Sequence, residues 1–522
     1  MKYYIIGIGG SGHRCIEAFT HISAAGLVNC NEINMMFVDS DSGNGNFVER
    51  TKKTLEDYIN VNSFLNNTET LFNTKLSPIG GINNCLWSPV DGNLESNNME
   101  DSKKTLNNIF KYNTMNREEK IVFDFLYTDR EKNKALVEGF YGHPSIGSLM
   151  MAYGLDFNAE PWCTFINNLK SDVKNDEVRV FLIASIFGGT GASGLPTISN
   201  YLTEKINNQN LKIGGFLLLP YFRFDSSKFD EVDKGLCPDS GNFMGKTKAA
   251  LYFYDNQDYC NKYFKRIYVM GDSYEEYTEV TPALGNLEQK NKPHIIELMV
   301  GFAASHFFNE TDIDLDKKVY ITTRSKISDG ATDKYIYEWD KIDDILGSGK
   351  DVKGLMSQQL RFAVAYTKHF YPIIENIANG QDSTNAYKST TWYKNYFIDK
   401  KIDVREDSNE HVFNNLKKLY DYCSKYLDWI YDLHLIENTE KISKINPGLR
   451  LFNISDSSLF NKKFENNIGL GNFHNLVCGH EKNENKFSEI YHNISKKNRE
   501  RNQQRKPVEQ FILDLYRHSS LK

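Results

Sequence analysis

The sequence predicts an α/β protein built on a parallel sheet with helices on both faces, and three observations carry that reading. Short apolar runs alternate with helical segments through the first half of the chain. Val178 to Asn200, VRVFLIASIFGGTGASGLPTISN, reads as strand, glycine-rich turn and helix, with Pro196 in the first turn of a helix expected from Leu195. Lys2 to Ala25 repeats the arrangement: the apolar strand KYYIIGI runs into Gly9, Gly10 and Gly12, and a helix is expected from about His13.

The glycine turns are where chemistry is expected. At Gly188, Gly189, Gly191 and Gly194 no side chain keeps an anion from the backbone N–H groups, Thr190 and Ser193 add hydroxyls, and the following helix adds its positive dipole end. A phosphate suits such a place, and so does a plain tight turn that needs glycine. Gly7, Gly9 and Gly12 satisfy G-x-G-x-x-G, the dinucleotide fingerprint, so a Rossmann-type dinucleotide enzyme stays open on motif grounds.

At 522 residues the chain is too long for one core, and two or three domains are expected. A net charge of -6 with 25% charged and 40% hydrophobic residues excludes a general nucleic-acid binder. The eight cysteines form no C-x-x-C pair and no Cys/His cluster, which points to buried thiols in a reducing compartment and to no protein-fixed metal. Neither a signal peptide nor a run of about 20 apolar residues is legible, so a cytoplasmic protein without a membrane span is expected.

Taken in order, Ile33 to Val38 is the second strand, and Asp39, Ser40 and Asp41 follow it, either facing a ribose or a hydrated Mg²⁺, or closing a turn by their own side chains. Asn46 to Asn60 reads as an exposed helix, and Asn66 to Asn98 as irregular with one strand near Cys85 to Trp87. A polar helical region surrounds Ser102 to Arg130, and Gly139 to Gly147, GFYGHPSIG, is a loop before a helix near Ser148. Ile213 to Leu219 and Arg266 to Met270 are further strands, and Phe243 to Tyr254 is a helix. Gly245, Lys246 and Thr247 imitate a P-loop ending, but Ser240 stands where its first glycine is required.

The order of these loops resembles the tubulin/FtsZ superfamily of GTP-binding, filament-forming proteins. The GGSG turn, the acidic turn after the second strand, the glycine loop holding Gly142 and then GGTGASG match its phosphate loops, with Phe187 where the signature's first glycine usually stands. The resemblance implies that Gly9, Gly10, Ser11, Gly12, Asp39, Asp41, Gly142, Gly188, Gly189, Thr190, Gly191, Ala192, Ser193 and Gly194 hold the phosphates of GTP or GDP with Mg²⁺. It likewise implies that LLLPYFRFD brings Asp225 to the sugar side and that YVMGDS brings Asp272 to the guanine. Asn291 to Phe308 looks like the family's central helix, whose head at Asn291 meets the base and whose far end carries a loop that reaches a neighbouring subunit's nucleotide. Asp312 and Asp314 match that loop in position and charge, which implies catalysis in trans and head-to-tail homopolymers.

The organisation implied is a Rossmann-like parallel-sheet GTP-binding domain at 1–290, a central helix at 291–309, a smaller α+β domain at 310–400, and a helical C-terminal region at 401–522. Val319 to Thr323 and Asp333 to Trp339 read as strands, Leu355 to Ile377 as a helix and Gly380 to Thr391 as a linker. His411 to His434 is strongly amphipathic, with Val412, Leu416, Leu419, Cys423, Tyr426, Leu427 and Ile430 on one face. Ser495 to Lys506 is a basic stretch, either solvated or docking on an adjacent subunit or an anionic adaptor, and a short apolar-faced helix follows from Pro507. A GTPase acting in filaments, a binding protein of the same fold without turnover, and the dinucleotide enzyme are the readings that remain.

Overall fold

The computed structural model describes residues 1–65, 70–91, 99–223, 240–272, 278–280, 287, 289, 291–311, 318–322, 325–329, 332–336, 338–339, 342, 351–382, 385–406, 409–437, 451, 476, 487–496 and 505–520. Its sheet strands are β1 (Lys2–Ile8), β2 (Glu32–Val38), β3 (Lys75–Pro78), β4 (Leu86–Trp87), β5 (Val178–Ser185), β6 (Leu211–Leu218), β8 (Arg266–Met270) and β10 (Lys318–Ile321). They run in the order β10-β8-β6-β5-β1-β2-β3, with β4 also on β2, and every pairing is parallel. The fold class is therefore α/β with a parallel central sheet. A short ladder of β7 (Phe222–Arg223) with β9 (Thr278–Glu279) and an antiparallel hairpin of β11 (Ser325–Asp329) with β12 (Thr332–Ile336) lie off it.

Burial on both faces explains why the strands read as unbroken apolar runs. From β1, Ile5 enters one core while Tyr4, Ile6 and Ile8 enter the other; from β5, Phe181 and Ile183 face the first and Val180, Leu182 and Ala184 the second. The α-helices of eight or more residues are α1 (Gly9–Ala24), α2 (Lys52–Phe64), α3 (Arg117–Leu126), α4 (Pro144–Gly154), α5 (Trp162–Asp172), α6 (Gly189–Ile206), α7 (Phe243–Asn256), α8 (Ile295–Asn309), α9 (Val352–Ala365), α10 (Tyr371–Ala378), α11 (Glu410–Glu437), α12 (Phe487–Ser495) and α13 (Pro507–His518). Phe19 of α1, Leu55 of α2 and Phe302 of α8 fill the first core, and Met150 of α4, Leu169 of α5 and Leu202 of α6 fill the second.

Both glycine clusters turn out to be helix rather than turn. α1 begins at Gly9, ahead of His13, and α6 begins at Gly189, ahead of Leu195, so Pro196 sits within the helix. Glycine is a poor helix former, and tertiary packing overrides that preference here. A Cβ on Gly12 would stand 2.8 Å from the Ile183 carbonyl oxygen, and one on Gly194 would stand 2.7 Å from Ile8 Cγ2. These two glycines let helix and strand approach, and their work is packing rather than ligand contact.

Elsewhere the expectations shift in detail. The segment from Asn46 opens with a π-helical turn, Asn46–Thr51, and α2 then buries Leu55, Tyr58 and Val61, so it is not an exposed helix. β3 and α5 fall where no element was expected, and α4 starts at Pro144. The strand near Val319 becomes β10 and pairs with β8 at the edge of the main sheet, although its sequence position groups it with 310–400. The helix expected over Leu355 to Ile377 runs from α9 through a π-helical turn, Tyr366–Phe370, into α10.

α11 is the amphipathic helix read from the sequence, and its apolar face shares the first core with α1 and α8. His21 Nδ1 lies 3.0 Å from the Tyr422 hydroxyl, and the Tyr516 hydroxyl of α13 donates to the Ala25 carbonyl at 3.1 Å. The C-terminal helices thus close over the first helix of the chain. No helix among the described residues is long and apolar enough to cross a membrane.

Candidate functional site

The strand order sets where a ligand can sit. Sequence order runs from β1 outward through β2 to β3, then returns to the other side of β1 with β5, so the topology reverses between β1 and β5. In open α/β sheets a crevice forms outside the carboxyl ends of the strands at such a point. A cleft occupies that position, lined by Gly9 after β1, Asp39 after β2 and Ser185 at the end of β5.

Two helix starts face each other across it. The Cβ position of Gly9 lies 3.4 Å from Thr190 Cβ and 3.6 Å from Gly191 N, so the head of α1 meets the head of α6. Gly9 has φ +75°, a conformation that favours glycine and lets α1 start at once after β1. Neither helix has a side-chain cap, and neither has an acid in its first turn. Their first N–H groups are therefore open to an anion, with two dipole ends aimed at one place.

A third wall is the loop before α4. Gly139, Tyr141 and Gly142 all have positive φ, at 111°, 49° and 71°, and Lys246 Nζ donates to the Gly142 carbonyl at 2.8 Å. For Tyr141 that conformation is costly. The Tyr141 hydroxyl donates to the Ala135 carbonyl at 2.6 Å, which helps hold it.

Asp39 and Asp41 come off the end of β2 into the same cleft. Asp39 is 4% exposed and accepts from the Thr190 hydroxyl at 3.3 Å and from the Asp41 N–H at 3.4 Å. Burial and the neighbouring Asp41 carboxylate push its pKa up to about 7. Glu138 adds a third carboxyl group to the walls. No set of three or more His, Cys, Asp or Glu among the described residues could hold a metal alone. Two carboxylates beside two open helix starts fit a Mg²⁺ that would arrive with phosphate oxygens, and a cation would offset the Asp41 repulsion that adds to burial in raising Asp39.

Set against known proteins, the chain matches no family model and no curated protein. The reading of the cleft therefore rests on its own geometry.

Of the residues expected from sequence, Gly9, Gly10, Ser11, Asp39, Asp41, Gly142, Gly188, Gly189, Thr190, Gly191 and Asn291 line the cleft. Gly12, Ala192, Ser193 and Gly194 do not. Ser193 instead donates to the Gly189 carbonyl at 2.8 Å inside α6, and the Ala192 carbonyl accepts from the Tyr254 hydroxyl at 3.2 Å. Asp272 also lies off the lining; its N–H donates to the Pro220 carbonyl at 3.0 Å. Asp225, Asp312 and Asp314 fall outside the described residues.

Sequence reasoning missed Arg14, Asn44, Glu138, Tyr141, Phe222, Phe243 and Gln289 on the walls. Arg14 had a signal, since it is the one charged side chain in the first helical turns after a glycine start. Gln289 had none: its Oε1 accepts from Asn44 Nδ2 at 2.6 Å, across 245 residues. Asn291 is likewise fixed from afar, donating its N–H to Asn46 Oδ1 at 2.8 Å.

Proposed function

We propose that the chain is a GTP-binding protein of the tubulin/FtsZ type, acting in the cytoplasm, that assembles head to tail and hydrolyses GTP to GDP and phosphate at the subunit contact. The observation that carries the nucleotide reading is the convergence of two uncapped glycine helix starts, at Gly9 and Gly189, on one cleft with Asp39 and Asp41 beside it. One such start is common to many folds; two aimed at one point suit an oligophosphate. Asp39 and Asp41 would hold an accompanying Mg²⁺ by balancing its charge and accepting hydrogen bonds from its waters, and the backbone amides would hold the phosphates.

The assembly reading draws on the resemblance of the loop order and of α8. Asn291, on the cleft wall, leads within four residues into α8, and the Ile295–Asn309 span puts the far end of the helix about 22 Å away along the axis. Groups after that end serve a neighbouring chain's cleft more readily than their own. In this layout 1–290 is the GTP-binding domain, 310–400 the smaller domain, and the basic stretch before Pro507 the place for an adaptor.

Equilibrium binding of labelled GTP, GDP, ATP and NAD with Mg²⁺ tests the reading. Guanine nucleotides bind best if it holds, and tight NAD binding without GTP binding overturns it in favour of the dinucleotide enzyme.

A further inference from the structure

The glycine helix starts account for phosphates and leave the other end of the cleft to be read. α1 carries Arg14 one helical turn beyond Gly10, about 6 Å further along the axis from the phosphate cradle. Arg14 Nε donates to Glu297 Oε1 at 2.6 Å and Nη2 donates to the Tyr221 hydroxyl at 2.7 Å. Tyr221 in turn donates to the same Oε1 at 2.8 Å, while the second Glu297 oxygen accepts from the His294 N–H at 3.0 Å at the head of α8. Arg14, Tyr221 and Glu297 are 3%, 1% and 1% exposed. Arg14 nevertheless lines the cleft, and its Nη1 has no protein partner among the described residues.

Nη1 is thus left free at the wall of the cleft, where a ligand acceptor can complete the guanidinium's hydrogen bonding. Charge decides its kind. Glu297 already balances Arg14, so this end has no positive charge to spare for a phosphate. An uncharged carbonyl oxygen is a better match. The Phe222 ring, whose centroid lies 6.0 Å from the guanidinium carbon, supplies a flat apolar face beside it. Guanine presents O6 and N7 acceptors on one edge, whereas adenine presents an amino donor in place of O6, which would face a group that can only donate.

We infer that Arg14 is the specificity-determining residue of the cleft, donating through Nη1 to the 6-oxo group of a guanine-type base, and that Glu297 and Tyr221 are the positioning residues that fix it. This rests on the nucleotide reading above, and it moves base recognition from Asp272 to Arg14.

The test is calorimetric titration of the full chain with Mg²⁺ and GTP, ITP, ATP or GMP, for wild type and for Arg14→Gln. ITP keeps the 6-oxo group and lacks the 2-amino group. Wild type should bind GTP and ITP within about 5-fold of each other and both at least about 100-fold tighter than ATP. Arg14→Gln should shrink the GTP to ATP ratio at least about 30-fold while the GTP to GMP ratio stays within about 3-fold. Because that change strands the Glu297 carboxylate, the double variant Arg14→Gln with Glu297→Gln and the milder Tyr221→Phe are measured beside it. Tyr221→Phe keeps the ring and loosens the guanidinium, so it should give a partial loss of discrimination. Unchanged discrimination in these variants overturns the inference, as does a fall in the GTP to GMP ratio, which would make Arg14 a phosphate ligand. Wild type that binds GTP and ATP equally overturns this inference alone; wild type that binds no guanine nucleotide overturns the nucleotide reading with it.

Discussion

Thr190 donates its hydroxyl to Asp39 across 3.3 Å, so the head of α6, which follows β5, is bonded to the segment that ends β2, with β1 between the two strands in the sheet. Asp39 is buried there beside the Asp41 carboxylate, and these two effects outweigh the lowering by the Thr190 bond, so a pH dependence follows. A carboxyl group whose folded pKa is raised to about 7 binds its proton more tightly folded than unfolded. Stability is then lost as pH rises from about 4 to about 7 and is level above that. Asp39→Asn should therefore stabilise the nucleotide-free, metal-free protein at pH 8 by roughly 2 to 4 kcal/mol, and the gain should fade toward pH 4. Urea denaturation of both proteins at about pH 4 and about pH 8 checks the sign; equal gains at both would exclude the carboxyl as cause.

Gly10 and Gly191 both line the cleft, and valine should act differently at each. A Cβ on Gly191 would stand 2.3 Å from the Ser185 carbonyl oxygen, so Gly191→Val should damage the fold and lower the melting temperature. A Cβ on Gly10 meets only Asn44 Nδ2, at 3.4 Å, so Gly10→Val should fold and put its methyl groups where a ligand sits. Its nucleotide affinity should drop at least about 100-fold, or about 3 kcal/mol. Circular dichroism melts and binding isotherms for the pair separate the two outcomes.

If turnover needs a neighbour's acids, activity per subunit should rise with protein concentration. Asp312→Ala with Asp314→Ala should slow hydrolysis by about 10² to 10⁴-fold, with GTP binding intact and filaments longer lived. Phosphate release and light scattering are followed together over a dilution series. Constant specific activity after scattering vanishes would place the whole site within one chain, and no activity at any concentration would favour a binding protein without turnover.

Phe511 of α13 is fully buried and stacks on Trp392 with centroids 5.4 Å apart and planes at 19°. Phe511→Ala should cost about 3 to 5 kcal/mol. Because α13 shares a core with α1, the whole thermal transition should move, which calorimetry distinguishes from a separate early melting of the C-terminal region.

The legible part of the fold was the part written in consecutive residues. β1, β5, β6 and β8 announced themselves as buried apolar runs, and the amphipathic stripe of α11 gave its face within a few residues. β3 hid because four residues, KLSP, offer no periodicity against asparagine-rich flanks. The glycine clusters misled on secondary structure because local preference says turn, whereas Gly12 and Gly194 serve contacts with Ile183 and Ile8 that no window contains. For the site, the glycines and Asp39 were readable and the Arg14, Tyr221 and Glu297 triad was not. Its members are up to 283 residues apart, and only the folded chain brings them together.

The hydrogen bond from Tyr516 to Ala25 spans 491 residues. A ribosome adding about 5 to 20 residues per second needs roughly 25 to 100 seconds between these two positions. Throughout that interval α1 has emerged with its outer apolar face lacking its last cover, and α1 is the helix whose first turn lines the cleft. The first residues of the cleft are thus among the earliest made, long before the helix that completes the cover of α1. A chaperone that shields apolar surface would meet this protein at its N-terminal helix, and would leave when the C-terminal helix arrives.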